Sequence, residues 1–235
     1  MICLITGSSR GLGRSIALTL GARGHKVAVH YKDDKTGAEE VASKINDHVI
    51  VRADVRSPEE VKASVEKVIE KWGRIDLLVN NAGITKESLL LKTSEEDFDE
   101  VIDTDLKGPF NFIRAAARYM MKQKGGHIIN ISSYAGLKGK EGLSAYSAAK
   151  AGLVGMTMSA AKELSRYNIS VNAVLPGYML TDMGGGSTGK GKEQALNESI
   201  IKEYSDPDSA AEFICYLAGT KGVTGQVFNL DSRIL

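Results

Sequence analysis

The sequence is poor in cysteine, has no long apolar run and shows no excess of either charge. Cys3 and Cys215 are its only thiols. Two cysteines cannot build a disulfide framework, and they suit a reducing compartment. No stretch approaches the roughly eighteen apolar residues of a membrane span. The N-terminus has no basic region before its short apolar run, so a signal peptide is not expected. Lys and Arg number 30 against 29 Asp and Glu, a formal net charge of +1. That balance gives no general attraction to nucleic acid or to an anionic membrane. Linkers, internal repeats and low-complexity tails are missing as well. The 235 residues are expected to form one cytoplasmic domain, 1–235, with a sizeable core. No metal site is expected.

What is present is a regular alternation. The apolar run Ile2-Cys3-Leu4-Ile5 leads into Thr6-Gly7-Ser8-Ser9-Arg10-Gly11-Leu12-Gly13. A helical pattern follows at Ile16, Leu18, Leu20 and Ala22, and a second strand is expected over 26–31. Further helices are expected over 36–46, 58–72, 94–123, 144–165 and 208–219. Further strands are expected over 48–53, 75–79, 127–131, 170–175 and 226–230. Ser57-Pro58 and Ser94 read as helix starts. Gly108-Pro109 should kink the longest helix. Strands that are continuous apolar runs, alternating with helices, imply an α/β fold. The expected architecture is a doubly wound, Rossmann-like parallel sheet in a three-layer αβα sandwich. The glycine-rich stretch 183–192 should be neither helix nor strand. Lying past the Pro176-Gly177 turn, it suggests a lid around 183–205.

Two stretches carry chemistry. In the first, Gly7, Gly11 and Gly13 follow a strand and open a helix. Glycines there let backbone approach a pyrophosphate, and the helix N-terminus supplies amide donors. Ser9, Arg10 and Leu12 share that turn. The second strand ends in His30-Tyr31-Lys32, where sites preferring NAD place an acidic residue. Lys32 and Arg10 could meet a 2′-phosphate instead, so NADP(H) is favoured over NAD(H). Asp33 and Asp34 weaken that inference, although they suit the opening of the next helix. The second stretch is Ser144-Ala145-Tyr146-Ser147-Ala148-Ala149-Lys150. On a helix the spacing puts Tyr146 and Lys150 on one face. An ammonium about 4 Å away favours a phenolate by about 4 kcal/mol at an effective dielectric near 20. A phenol tuned in this way becomes a useful general acid/base.

Taken together and in order, Thr6-Gly7-x-x-x-Gly11-x-Gly13, Asn80-Asn81-Ala82-Gly83, Ser133, Tyr146-x-x-x-Lys150 and Pro176-Gly177 with Thr181 identify a resemblance. The chain resembles the short-chain dehydrogenase/reductase family over essentially its whole length. Within that family it is most similar to the β-ketoacyl-[acyl-carrier-protein] reductases. The resemblance implies that Asp54 and Val55 contact adenine, that Asn80, Asn81, Ala82 and Gly83 flank the cofactor, and that Thr181 meets the nicotinamide carboxamide. It implies that Ser133 positions a substrate carbonyl, Tyr146 donates a proton to it, and Lys150 tunes Tyr146 and holds the ribose. The implied substrate is a ketone, free or linked to a carrier protein, and relatives assemble as dimers or tetramers.

Two departures stand out. The family's Asn-Leu-x-Gly pattern reads Asp105-Leu106-Lys107-Gly108 here. Asp105 is expected to stay in the catalytic set, while offsetting the influence of Lys150 on Tyr146. The family's Asp-Gly-Gly end, a segment that often contributes to subunit contacts in relatives, reads Asp231-Ser232-Arg233 here. Sugars, steroids and polyketides are alternative substrates, and a non-catalytic, cofactor-sensing protein is the alternative from another class.

Overall fold

A computed structural model describes residues 1–181 and 189–233. Seven strands form one parallel sheet in the order β3-β2-β1-β4-β5-β6-β7. They are β1 (Ile2–Ile5), β2 (Lys26–Tyr31), β3 (His48–Arg52), β4 (Leu77–Asn80), β5 (Gly126–Ile131), β6 (Ile169–Leu175) and β7 (Val227–Asn229). The order reverses on either side of β1, and the ends of β1 and β4 define the crevice where ligands bind in open α/β sheets.

Successive strand residues face opposite sides of the sheet, and this alternation builds two cores. Cys3, Ile5, Val27, Val29, Leu77, Val79 and Ile129 pack with α1 (Gly11–Ala22), α2 (Lys35–Ala42) and a late helix, Pro207–Ala218. Ile2, Leu4, Ala28, Leu78, Ile128 and Val171 pack on the other face, against α3 (Pro58–Trp72) and α5 (Gly108–Lys122). Both faces are covered, which is why the strands carry few polar residues. The layers are those expected.

Local signals place the helix starts. The Ser57 side chain accepts from the Glu60 amide, with Pro58 opening α3. Asp34 caps α2 by accepting from the Gly37 amide. Ser94 caps α4 (Glu95–Ile102) by accepting from the Asp97 amide. The helix expected over 94–123 is broken differently from a simple kink. Between α4 and α5 lies a π-helical turn, Asp103–Lys107, in which the Gly108 amide donates to the Asp103 carbonyl. Pro109 lacks an N–H, and its ring would clash with the carbonyl four residues back, at Asp105. The widened turn absorbs that conflict.

The chain continues through α6 (Ala135–Lys138), α7 (Ser144–Leu164), α8 (Gly189–Glu198) and α9 (Pro207–Ala218). Most of the glycine stretch lies outside the described residues. Its end corrects the expectation, because residues 189–192 open α8 rather than remain irregular. Ala195 of this helix is buried, and tertiary packing of this kind can outweigh the helix cost of glycine, about 1 kcal/mol each. No helix among the described residues is long and apolar enough to cross a membrane.

Candidate active site

One cleft of about 1350 Å³ runs along the C-terminal ends of β1, β2, β4, β5 and β6. At one end Gly7 and Gly11 adopt positive φ, +62° and +55°, which side chains other than glycine rarely take. The N-cap residue, Arg10, makes no side-chain cap bond to α1, so the helix start can offer its amides to an anion. Gly13 is not in the cleft wall. It is buried, and a Cβ there would collide with the Gly7 carbonyl and the Asn81 side chain. Its smallness lets α1 close on the turn.

The glycine turn is clamped from two sides. Thr6 Oγ1 accepts from the Asn81 and Ala82 amides at 2.9 Å each, while Asn81 Nδ2 donates to the carbonyls of Thr6 and Gly7 at 2.9 and 3.1 Å. His30 is buried beneath, and its Nδ1 accepts from the Gly7 amide at 3.0 Å. Burial pushes the His30 imidazole down to about 4, so the ring is neutral and remains an acceptor. In the sequence His30 marks only a position without an acid. Its role as a support for the turn depends on pairing between β1 and β2.

Ser9, Arg10, Leu12, Lys32, Asp54, Val55, Ala82, Gly83, Pro176, Gly177 and Thr181 all line this cleft. Thr181 sits over the turn, with its Cβ 3.6 Å from where a Gly11 Cβ would be. Lys32 Nζ is 3.1 Å from Asp54 Oδ2. Arg56 also grips Asp54, and its hydrogen bonds, with Lys32, hold that carboxyl far below the usual range.

The second cluster lies in mid-cleft. α7 carries Tyr146 and Lys150 on one face, and the Lys150 ammonium is 5.4 Å from the Tyr146 ring centre. The Ser133 hydroxyl, just past the end of β5, lies on the Tyr146 side of the cleft and pulls the phenol towards its ionised form. The Ala135 amide donates to Ser133 Oγ at 3.2 Å. Ser132 points the other way, as the extended strand requires, and its hydroxyl donates to the Lys150 carbonyl at 2.9 Å. Lys150 Nζ donates to the Ile131 carbonyl at 3.0 Å.

Asp105 is fully buried behind Lys150 and does not reach the cleft wall. Its Oδ2 lies 3.1 Å from Lys150 Nζ, and its Oδ1 accepts from the Ile84 amide at 2.8 Å. Both neighbours are donors, which fits a carboxylate. A Cβ on Gly83 would come within 2.6 Å of Asp105 Oδ2, so the Asn-Ala-Gly segment makes room for this carboxyl. Burial pushes Asp105 upward against the pull of Lys150 and the Ile84 amide. Burial alone would lower Lys150, but Asp105 and Tyr146 hold it above its ordinary value. Tyr146 departs from expectation. Burial and the Asp105 charge outweigh the opposing pull of Lys150 and Ser133, and the phenol stands above its ordinary value instead of falling towards neutrality.

The far end of the cleft holds residues that motif reading missed. Tyr134, Gln194, Glu198 and Arg233 line it. Only the departure at 231–233 signalled Arg233, and nothing local signalled the others. Among the described residues no cluster of three His, Cys, Asp or Glu could hold a metal ion.

The sequence profile described as short chain dehydrogenase matches residues 1–190. The chain belongs to the short chain dehydrogenase family. A 3-oxoacyl-[acyl-carrier-protein] reductase FabG from Staphylococcus aureus (strain N315) is 42% identical over 234 residues, covering 97% of this chain and 95% of the relative. A 3-oxoacyl-[acyl-carrier-protein] reductase of Synechocystis is 42% identical, covering 100% of this chain and 96% of the relative. A solved dehydrogenase/reductase from Sinorhizobium meliloti 1021 superimposes with a TM-score of 0.92 at 35% identity, covering 98% of this chain and 93% of that one. For a short chain dehydrogenase the positive-φ glycine turn and the uncapped start of α1 fit the pyrophosphate of a nicotinamide cofactor.

Proposed function

We propose that this short chain dehydrogenase is an NADPH-dependent reductase of a 3-oxoacyl thioester, yielding the 3-hydroxyacyl product. The observation that carries the reading is the grouping of the Ser133 and Tyr146 hydroxyls in one cleft wall, with the buried Lys150 cation 5.4 Å from the Tyr146 ring centre. The relatives named 3-oxoacyl-[acyl-carrier-protein] reductase support the substrate class.

Gly7, Gly11 and the first amides of α1 would hold the pyrophosphate, Asp54 and Val55 would border the adenine, and Pro176, Gly177 and Thr181 would border the nicotinamide. A reduced nicotinamide, when bound, supplies the hydride. Ser133 donates a hydrogen bond to the substrate carbonyl oxygen and fixes it beside Tyr146. As negative charge develops on that oxygen, Tyr146 releases its hydroxyl proton to it. Lys150, cationic and 5.4 Å from the ring centre, stabilises the phenolate that remains. Asp105 keeps Lys150 charged and in place.

Arg10 and Lys32 favour NADP(H). The Lys32 side chain is 42% exposed in its pair with Asp54, and an exposed pair of this kind is worth about 0–1 kcal/mol. A 2′-phosphate can displace that contact. Exposed Phe110 on α5 and Met158 on α7 support a helical dimer face, and light scattering in solution tests it.

The deciding assay follows NADPH absorbance with acetoacetyl thioesters beside a panel of sugar, steroid and aromatic ketones. Rapid consumption with the thioester is expected. Cofactor binding without turnover of any ketone would reject the reading, and equal use of NADH would reject the roles of Arg10 and Lys32.

A further inference from the structure

We propose that Arg233 is a specificity-determining residue that receives a carboxylate at the far end of the ketone substrate. The inference rests on the reductase reading of the cleft and names a feature of its substrate.

Arg233 lines the same cleft as Ser133 and Tyr146. It is only 8% exposed. Its guanidinium stacks on the Tyr134 ring, 4.3 Å from the ring centre. Tyr134 follows Ser133 in the chain, so the cation is held in a fixed relation to the hydroxyl that positions the carbonyl. A guanidinium has two edges able to grip a carboxylate with paired N–H groups. Asp231 occupies one. Arg233 Nε donates to Asp231 Oδ1 and Oδ2 at 2.9 and 3.1 Å, and Nη2 donates to Oδ2. The Arg233 amide also donates to Asp231 Oδ1, at 2.9 Å, so the tail orients its own guanidinium.

Among the described residues the second edge is used poorly. Arg233 Nη1 lies 3.7 Å from Glu198 Oε2, beyond hydrogen-bond length. The Glu198 side chain is 42% exposed, and its one close side-chain contact among the described residues is an exposed bond accepted from Gln194 Nε2 at 2.8 Å, so it can turn into water at little cost. Glu198 occupies the place of a weakly held carboxylate that a better-placed one would replace. Lys138 and Lys140 line the same wall and offset the incoming charge. Arg233 remains cationic at any working pH. A merely structural tail would need only the Asp231 edge and the Tyr134 stack, so its loss would not discriminate between charged and neutral ketones.

The test measures NADPH-dependent kcat/KM for unbranched keto acids of increasing chain length, each paired with its methyl ester. Wild type should prefer the acid at the length that spans Tyr146 to Arg233. The acid-to-ester ratio should fall about 10- to 100-fold in Arg233→Gln, the range for losing hydrogen bonds to a charged group. It should rise several-fold in Glu198→Gln, where the competing charge is gone. Arg233→Gln leaves Asp231 buried without its partner and can unfold the tail, so Glu198→Gln decides the matter by itself. A Glu198→Gln ratio equal to wild type overturns the proposal, as does a wild-type ratio of one or below at every length. If no ketone is reduced, the reductase reading fails, and the Arg233 site is then read by thermal shift with NADPH present. Stabilisation by adipate and not by dimethyl adipate, stronger in Glu198→Gln, supports the site. Equal shifts with the two compounds overturn it.

Discussion

Two opposite charges act on the Tyr146 hydroxyl, the Lys150 ammonium and the Asp105 carboxylate. The spacing places Lys150 beside the ring, and the structure adds what lies behind Lys150. Asp105 sits 3.1 Å from the ammonium in a fully buried position, and its charge raises Tyr146 while Lys150 lowers it. Removing that charge while keeping the shape should lower the Tyr146 pKa. Reduction needs the protonated phenol, so kcat/KM for reduction falls as pH rises through that pKa. In Asp105→Asn the fall should begin at lower pH than in wild type, with activity near neutrality preserved. In the oxidation direction the rising limb should move the same way. Matched pH profiles in both directions check this. A lowered Tm with an unmoved profile would assign Asp105 to the fold alone, because a buried Lys150 left short of a partner also costs stability. Tyr146→Phe separates chemistry from binding at the same scale. Reduction should drop at least about 100-fold, the lower range for a general acid, while fluorescence titration shows NADPH affinity close to wild type.

Between residue and whole molecule, the turns decide where these side chains end up. Glycine and proline could be read as punctuation, because each constrains its own backbone. Gly7 and Gly11 do take the positive φ that their position after β1 demands. Gly13 shows the limit, since its reason for being glycine is the Gly7 carbonyl across the turn, a contact made only when the chain has folded. Pro109 shows the same limit. Its effect falls one turn earlier, as the π-helical Asp103–Lys107 segment that carries Asp105. Pro109→Ala restores an N–H and removes the ring clash, so this turn can wind as an ordinary α-helix. Asp105 would then rotate away from Lys150. The expected result is a loss of about 10- to 100-fold in kcat/KM, the scale for a small displacement in a catalytic group, with Tm lowered, because the buried Lys150 loses its partner. Unchanged kinetics would show that the widened turn does not set the position of Asp105.

At the scale of the molecule, the sheet was readable because a strand buried on both faces is written as an apolar run. Polar residues that bond across strands were not readable, because their partners lie far away in sequence. Asn80 Nδ2 donates to Asn130 Oδ1 at 2.8 Å, and Asn130 Nδ2 donates to Thr157 Oγ1 at 2.9 Å, joining β4, β5 and α7 inside the core. Two histidines belong to the same hidden set. His30 Nδ1 accepts from the Gly7 amide at 3.0 Å, and His127 Nε2 faces Asn172 Nδ2 at 2.9 Å. Burial lowers each from an ordinary 6.5 to about 4. The unfolded chain therefore binds protons at these two sites before the folded chain does, and stability must fall as pH drops from about 6.5 towards 4. Each histidine contributes about 1.4 kcal/mol per pH unit within that window, roughly 3 kcal/mol in full. Above pH 7 both are neutral in either state, and the contribution is constant. Urea unfolding at a series of pH values should show this decline, with a slope about half as steep in His127→Gln, which keeps a polar group facing Asn172 without titrating. A wild-type stability that stays flat from pH 7 to 5 would mean that water reaches these rings. In that case His30 would no longer serve as a neutral acceptor beneath the phosphate turn.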